Sequence, residues 1–225
     1  MFFLLSIMAA TCLAQETCYI FYPTTMRPQI LREKLAAALP GVEITVFGRL
    51  NDLTVKMGSE PPDAIIAKPS LIRQFPDFTV TLNGIRKGKT EESYVLMSIG
   101  TPVEAGAVGV GTTIGIIDVL GRTGMQSFIA QFFPVEPKLK RVTKVEDLLP
   151  LLTFNMASGI LIEDVFVNYF KATSQLDFKI TPLPPAQSGI IALGIRKKGN
   201  ADKTITALKH ADKVLCTIFE VEQWK

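Results

Sequence analysis

The sequence predicts an α/β protein built as two small lobes, and three observations carry that prediction. Apolar, β-rich runs alternate with amphipathic helical stretches from the start of the globular part. A second series of the same kind begins near residue 112. Gly- and Pro-rich connections at 101–111 and 182–187 set the two series apart. A single continuous doubly wound sheet is the competing arrangement; the two connections favour two lobes joined by a hinge of two crossings.

The first run, 18–22 (CYIFY), is a strand stopped by Pro23. Residues 29–39 form a helix, with Ile30, Leu31, Leu35 and Leu39 at helical spacing and Pro40-Gly41 ending it. Residues 42–47 alternate as a strand, 51–57 form a second helix, 63–67 a compact strand, and 71–75 a short helix after Lys68-Pro69-Ser70. This β-α-β-α-β-α order predicts parallel strands with right-handed crossovers. Residues 78–82 and 93–99 read as antiparallel or edge strands, so the sheets are mixed. Residues 100–115 hold five glycines and no helical period.

Beyond that segment, 113–119 is a buried strand, 125–133 and 145–152 are helices, and 157–162 is a strand. A helix over 163–171 and a strand over 178–181 complete the second unit. Residues 190–195 and a terminal helix over 202–219 return to the first. The expected division is lobe 1 over 15–100 and 188–225, and lobe 2 over 112–181.

Composition narrows the function. The chain has 225 residues, 48% hydrophobic and 20% charged, with a net charge of +3. That charge is too small and dispersed for a nucleic-acid surface; Lys138, Lys140, Arg141 and Lys144 read as a solvated turn. Residues 1–14 (MFFLLSIMAATCLA) read as a secretory signal, apolar and ending in small residues, although no Lys or Arg precedes Arg27. Residues 9–12 loosely resemble a lipoprotein box, in which case Cys12 carries an anchor. Export to a periplasmic or other extracytoplasmic space would leave Cys18 and Cys216 either as a disulfide or as two buried thiols.

The runs Gly115-Ile-Ile-Asp-Val-Leu-Gly-Arg-Thr-Gly124, 141–152 and 157–162, with the opening strand and Pro/Thr loop, carry a resemblance. The chain resembles the type II periplasmic binding proteins, and within them the phosphate/phosphonate-binding branch. The resemblance implies a two-lobe fold of mixed sheets that closes on a ligand. It also implies delivery of that ligand to a membrane transporter of the ABC kind or to a sensor kinase. One departure bears on the ligand: the turn at 120–124 holds a single hydroxyl where phosphonate binders have a Ser/Thr-rich turn.

Open parallel sheets bind ligands beyond the carboxyl ends of their strands. That rule nominates Thr24 and Thr25 after the first strand, Lys68 and Ser70 after the third, and Arg122 and Thr123 at the start of the second lobe's first helix. Asn155 and Ser158, at the entry to a strand, complete the set. Hydroxyls, an amide, cations and helix starts point to a small anionic or zwitterionic solute. Each residue also has a plainer reading as a cap, a turn former or a surface charge, and Asp118 reads as the cap of the turn after it.

No metal cluster, dinucleotide fingerprint or nucleophile elbow occurs, and the acid pairs Glu91-Glu92 and Glu163-Asp164 read as a solvated loop and a helix first turn. The expectation is a monomeric binding protein without cofactor or catalytic site. A ligand-free extracytoplasmic interaction module on the same fold is the alternative.

Overall fold

The computed structural model describes residues 15–186, 188–210 and 213–225. The signal and lipoprotein readings therefore lie outside the described residues. Two sheets form the molecule. The first is ordered β2-β1-β3-β10-β4-β11, from β1 (Glu16–Ile20), β2 (Val42–Val46), β3 (Ala64–Ala67), β4 (Phe78–Ile85), β10 (Ala192–Arg196) and β11 (Gln223–Trp224). The second is β7-β6-β8-β5-β9, from β5 (Tyr94–Ile99), β6 (Thr113–Ile117), β7 (Lys138–Val142), β8 (Gly159–Glu163) and β9 (Phe178–Pro182).

The two sheets repeat one plan. Each has three parallel strands flanked by a strand that enters antiparallel just after a crossing: β10 beside β3, and β5 beside β8. This is the mixed-sheet, two-lobe architecture that the alternation of elements predicts.

Helices α1 (Pro28–Ala38), α2 (Leu50–Ser59) and α3 (Pro69–Ile72) serve the first lobe. In the second lobe, α4 (Gly121–Ile129), α5 (Leu148–Thr153) and α6 (Val167–Thr173) do the same. The chain then returns through α7 (Asp202–Lys209) and α8 (Lys213–Ile218), so the terminal helix predicted over 202–219 is two helices. Glu16 ties this return to β1. Its buried carboxylate accepts the N–H groups of Lys203 and Thr204 at 2.9 Å each and the Thr204 hydroxyl, satisfying first-turn donors of α7 from another element.

Strand β1 and the two residues after it show how an inner parallel strand is covered on both faces. Tyr19 and Phe21 enter one core while Cys18, Ile20 and Tyr22 enter another on the opposite face of the sheet. The first core continues into the second lobe, joining Leu53, Ile65 and Leu71 to Tyr94, Ile114, Phe128 and Ile160. The lobes are therefore packed together, not splayed.

Three expectations are corrected and one open alternative is decided. β5 pairs with β8 and β9, so the outward crossing is 86–93, and the Gly-rich segment 101–111 lies inside the second lobe. The return crossing is 183–191, longer than the 182–187 expected. Residues 138–142 are an edge strand; their exposed Lys138, Lys140 and Arg141 line the sheet margin, a common way of blunting an edge. Of the two readings left open for the cysteines, the thiols hold, with Cys18 buried and Cys216 half-buried. Leu215 and Ile218 are the α8 residues that meet the core holding Cys18, whereas the half-buried Cys216 is turned toward the Glu222 carbonyl, 3.6 Å from its Sγ.

The two crossings are bonded to each other. The outward one begins with a tight turn, Lys87 and Gly88 at φ 51° and 71°, closed by reciprocal bonds between Arg86 and Lys89. Beyond it, Ala186 donates to the Glu92 carbonyl at 3.0 Å and Ile190 to that of Thr90 at 2.9 Å. Gly189, at φ 75°, lets the return crossing pass over Pro69: a Cβ there would sit 2.4 Å from the Pro69 Cγ. Gly189→Ala is expected to cost more than the roughly 1–2 kcal/mol of a left-handed non-Gly residue alone, read as a lowered urea midpoint at unchanged slope.

Candidate functional site

A cleft of about 300 Å³ lies between the lobes. From the first lobe it is lined by the segment after β1 (Phe21 to Pro28) and by Val46, Phe47 and Gly48 at the end of β2. From the second it is lined by Ile117 and Val119 after β6 and by 143–146 after β7. All four contributions come from the carboxyl ends of parallel strands, where successive loops converge because the strands run in one direction. The walls are mostly apolar. Arg27 stands on one lobe, Lys144 and Glu146 on the other, and all three are exposed at the rim. Arg27 is also the residue before α1, so the positive end of that 11-residue helix faces the same space.

Of the residues nominated from sequence, Thr24 and Thr25 line this cleft. The Thr24 hydroxyl accepts from the Met26 N–H at 3.1 Å, holding the loop in its turn. Arg122 and Thr123 are exposed on α4, whose start is covered by the first lobe: Gln74 donates to the Leu120 carbonyl at 3.2 Å, and Leu50 packs on Gly121. Asp118 caps this turn as expected, accepting from the Gly121 N–H at 2.8 Å. Asn155 and Ser158 sit at the amino end of β8, where Ser158 donates to the Thr113 carbonyl at the start of β6. That is the end of the sheet opposite the cleft, so these two are not brought to it. Ser70 backs onto the return crossing, its backbone N–H donating to the Ser188 carbonyl at 3.2 Å.

Lys68 is in a different place from the one expected. Only 2% exposed, it lies beneath the cleft beside Glu92, expected in a solvated loop, and Glu163, expected in a helix first turn but found at the end of β8. Its ammonium is 2.9 Å from Glu163 Oε1 and 3.7 Å from Glu92 Oε2. It donates to the Gly189 and Ile190 carbonyls at 3.4 and 3.3 Å and stands 5.7 Å from the centre of the Tyr94 ring. Arg86 meets the other Glu92 oxygen at 2.8 Å. Lys68 follows β3 of the first lobe, Glu163 ends β8 of the second, and Glu92 and Arg86 belong to the outward crossing. The cluster therefore joins both lobes to the hinge. It adjoins the cleft through Pro23, Ile117 and Val119, which line both the cleft and a small void bounded by Tyr94 and Glu163.

Burial, and next the charge of Glu163, push the Glu92 carboxyl up to about 9, outweighing the nearby cations. Lys68 keeps its proton more firmly than usual: burial opposes the charge, but Glu163 and Glu92 overcome it. Tyr22 and Tyr94 are likewise held protonated, chiefly by burial.

Two lobes of this topology, meeting over a cleft at their strand ends, define the type II periplasmic-binding-protein fold. Solved structures agree. XAC2383 from Xanthomonas citri, bound to chloride, superposes at a TM-score of 0.65 with 12% identity, covering 93% of this chain and 91% of that one. The GluR0 ligand-binding core from Nostoc punctiforme, in complex with L-glutamate, gives 0.61 at 11% identity, covering 91% and 97%. The second periplasmic VFT domain of BvgS from Bordetella pertussis, as a double mutant, gives 0.58 at 15%, covering 91% of each. No family model matches the chain. No curated protein matches it in sequence either.

Proposed function

We propose that this protein binds a small anionic solute in the interlobe cleft, as a binding protein and not an enzyme. The observation that carries the reading is the cleft itself. It has the volume of a small-molecule site, apolar walls, and a cation from each lobe at the rim, Arg27 and Lys144. The α1 start and the Thr24 and Thr25 hydroxyls add donors on the same side. The similar solved structures, one described as bound to chloride, one as a ligand-binding core in complex with L-glutamate and one as the substrate-binding protein of an amino acid ABC transporter, support the reading at the level of the fold. Work in an extracytoplasmic space, delivering solute to a transporter or sensor, is part of the proposal; among the described residues no helix is long and apolar enough to cross a membrane.

The test is a thermal-shift panel on the protein from Gln15 onward, against phosphate, phosphonates, sulfate, amino acids and simple carboxylates. A ligand at 100 times its dissociation constant adds about 2.7 kcal/mol to the folded state. The expected result is a shift with one anionic class, reduced roughly tenfold or more in affinity by Arg27→Ala, as befits loss of a charge-assisted bond. Phosphate and phosphonates are the arm that decides the branch suggested by resemblance. A flat panel would instead favour a ligand-free interaction module, a reading that the ion pair already joining the lobes supports.

A further inference from the structure

Resting on that reading, we infer that Lys68 is a built-in ammonium ligand, filling a cation subsite between the lobes and so setting the specificity of the cleft toward acids without an amine. A primary ammonium surrounded by two glutamate side chains, two carbonyl oxygens and an aromatic face is in the chemistry that recognises a primary amine from any source. Here the amine arrives on a four-carbon tether from the loop after β3. Glu92 and Glu163 are 1% and 4% exposed, so the ammonium they hold has no water to replace it. The cage is filled by an ammonium, and that ammonium comes from the chain. Among the described residues lining the cleft itself, Glu146 is the carboxylate left to meet a ligand's amine, and it is exposed, where ion pairs contribute little. The anion-directed groups, Arg27, Lys144 and the α1 start, remain open. The specificity that follows is for a compact carboxylate with an apolar body and no amine.

Chemical rescue tests the cage. Lys68→Ala removes the equivalent of n-propylammonium and should lower the melting temperature. Added n-propylammonium should restore it in a saturable, concentration-dependent way, while leaving the unaltered protein unmoved. Equal rescue by 1-propanol would overturn the inference, since it would reduce the site to a void that any small molecule fills. Absence of rescue by any amine would overturn it as well. If Lys68→Ala does not fold, refolding yield in the presence and absence of n-propylammonium provides the same reading. The second arm compares leucine with 4-methylpentanoate on the unaltered protein. A shift for the acid at least equal to that for the amino acid supports the inference, and tenfold tighter binding of leucine would overturn it. If neither compound nor any other anion shifts the protein, the cleft reading fails, and the rescue arm still decides whether Lys68 occupies an ammonium cage.

Discussion

Glu163→Leu is expected to destabilise the protein by about 3 kcal/mol, at the lower end of what breaking a buried ion pair costs. The loss arises because Lys68, 2% exposed, would keep its charge with its 2.9 Å partner gone. Glu92 limits the damage. Its carboxyl is held protonated partly by the charge of Glu163, so removing Glu163 lets Glu92 ionise and pair with Lys68. Lys68→Met should cost a similar amount, leaving the buried Glu163 carboxylate without its 2.9 Å partner. The double variant Lys68→Met/Glu163→Leu keeps the Arg86–Glu92 pair and buries two apolar side chains in place of the ions. It should be more stable than the sum of the single variants by about 1–3 kcal/mol, the size of coupling found between groups in contact. Urea unfolding, followed by the buried Trp224, measures all four corners of the cycle. Additivity within about 0.5 kcal/mol would mean that the two groups do not act as a pair.

That cluster also shows where the sequence was legible and where it was not. The inner parallel strands β3 and β8 declared themselves because they are covered on both faces: AIIA and GILI are apolar without interruption, which no solvated element would be. β7 did not, because KLKRV sits at a sheet edge and its exposed positions carry the charge of a loop. Glycine content misplaced the outward crossing. The segment 101–111 is rich in glycine but internal to one lobe, whereas the real crossing is held by backbone bonds between two extended stretches, a pairing with no local signature.

The site divides in the same way. Thr24 and Thr25 were found by a topological rule that needs only the strand direction. Asn155 and Ser158 failed the same rule, since they precede their strand and lie at its amino end. Glu92 reads as part of a solvated loop and Glu163 as the first turn of a helix, yet each carries a signal. Glu92 is two residues before Tyr94 and shares the face of Tyr94 and Leu96 if the period-two pattern is extended. Glu163 and Lys68 come directly at the ends of wholly buried strands, where the next side chain has no route to water. What could not be read is that three such residues from different elements would meet, because that depends on the packing of one lobe against the other.

The same geometry fixes a pH dependence. Glu92 titrates higher in the folded protein than the ordinary 4.5, from burial first and the Glu163 charge second. Between the two values the folded state holds a proton that the unfolded chain has released, so stability falls as pH rises, by at most about 1.4 kcal/mol per pH unit for one proton. Apart from Glu220, the groups around Glu92 whose titration is shifted act outside this window. Lys68 and Arg86 are raised from 10.5 and 12.5, so their contributions are lost only at higher pH, and Tyr22 and Tyr94 are raised from 10.0. Cys18, raised from 9.0, acts above that value. Asp63, lowered from 3.8 by its Thr17 and Arg196 contacts against the opposing effect of burial, matters only in acid. Glu220, raised by burial but 38% exposed, adds a smaller slope of the same sign. Unfolding free energy should therefore decline from pH 5 to pH 8.5. Glu92→Gln, which keeps an acceptor for Arg86 and has no proton to lose, should remove most of that decline. An unchanged slope in Glu92→Gln would place the titrating group elsewhere and would remove the protonated carboxyl from the account of how Lys68 and Glu163 hold the lobes together.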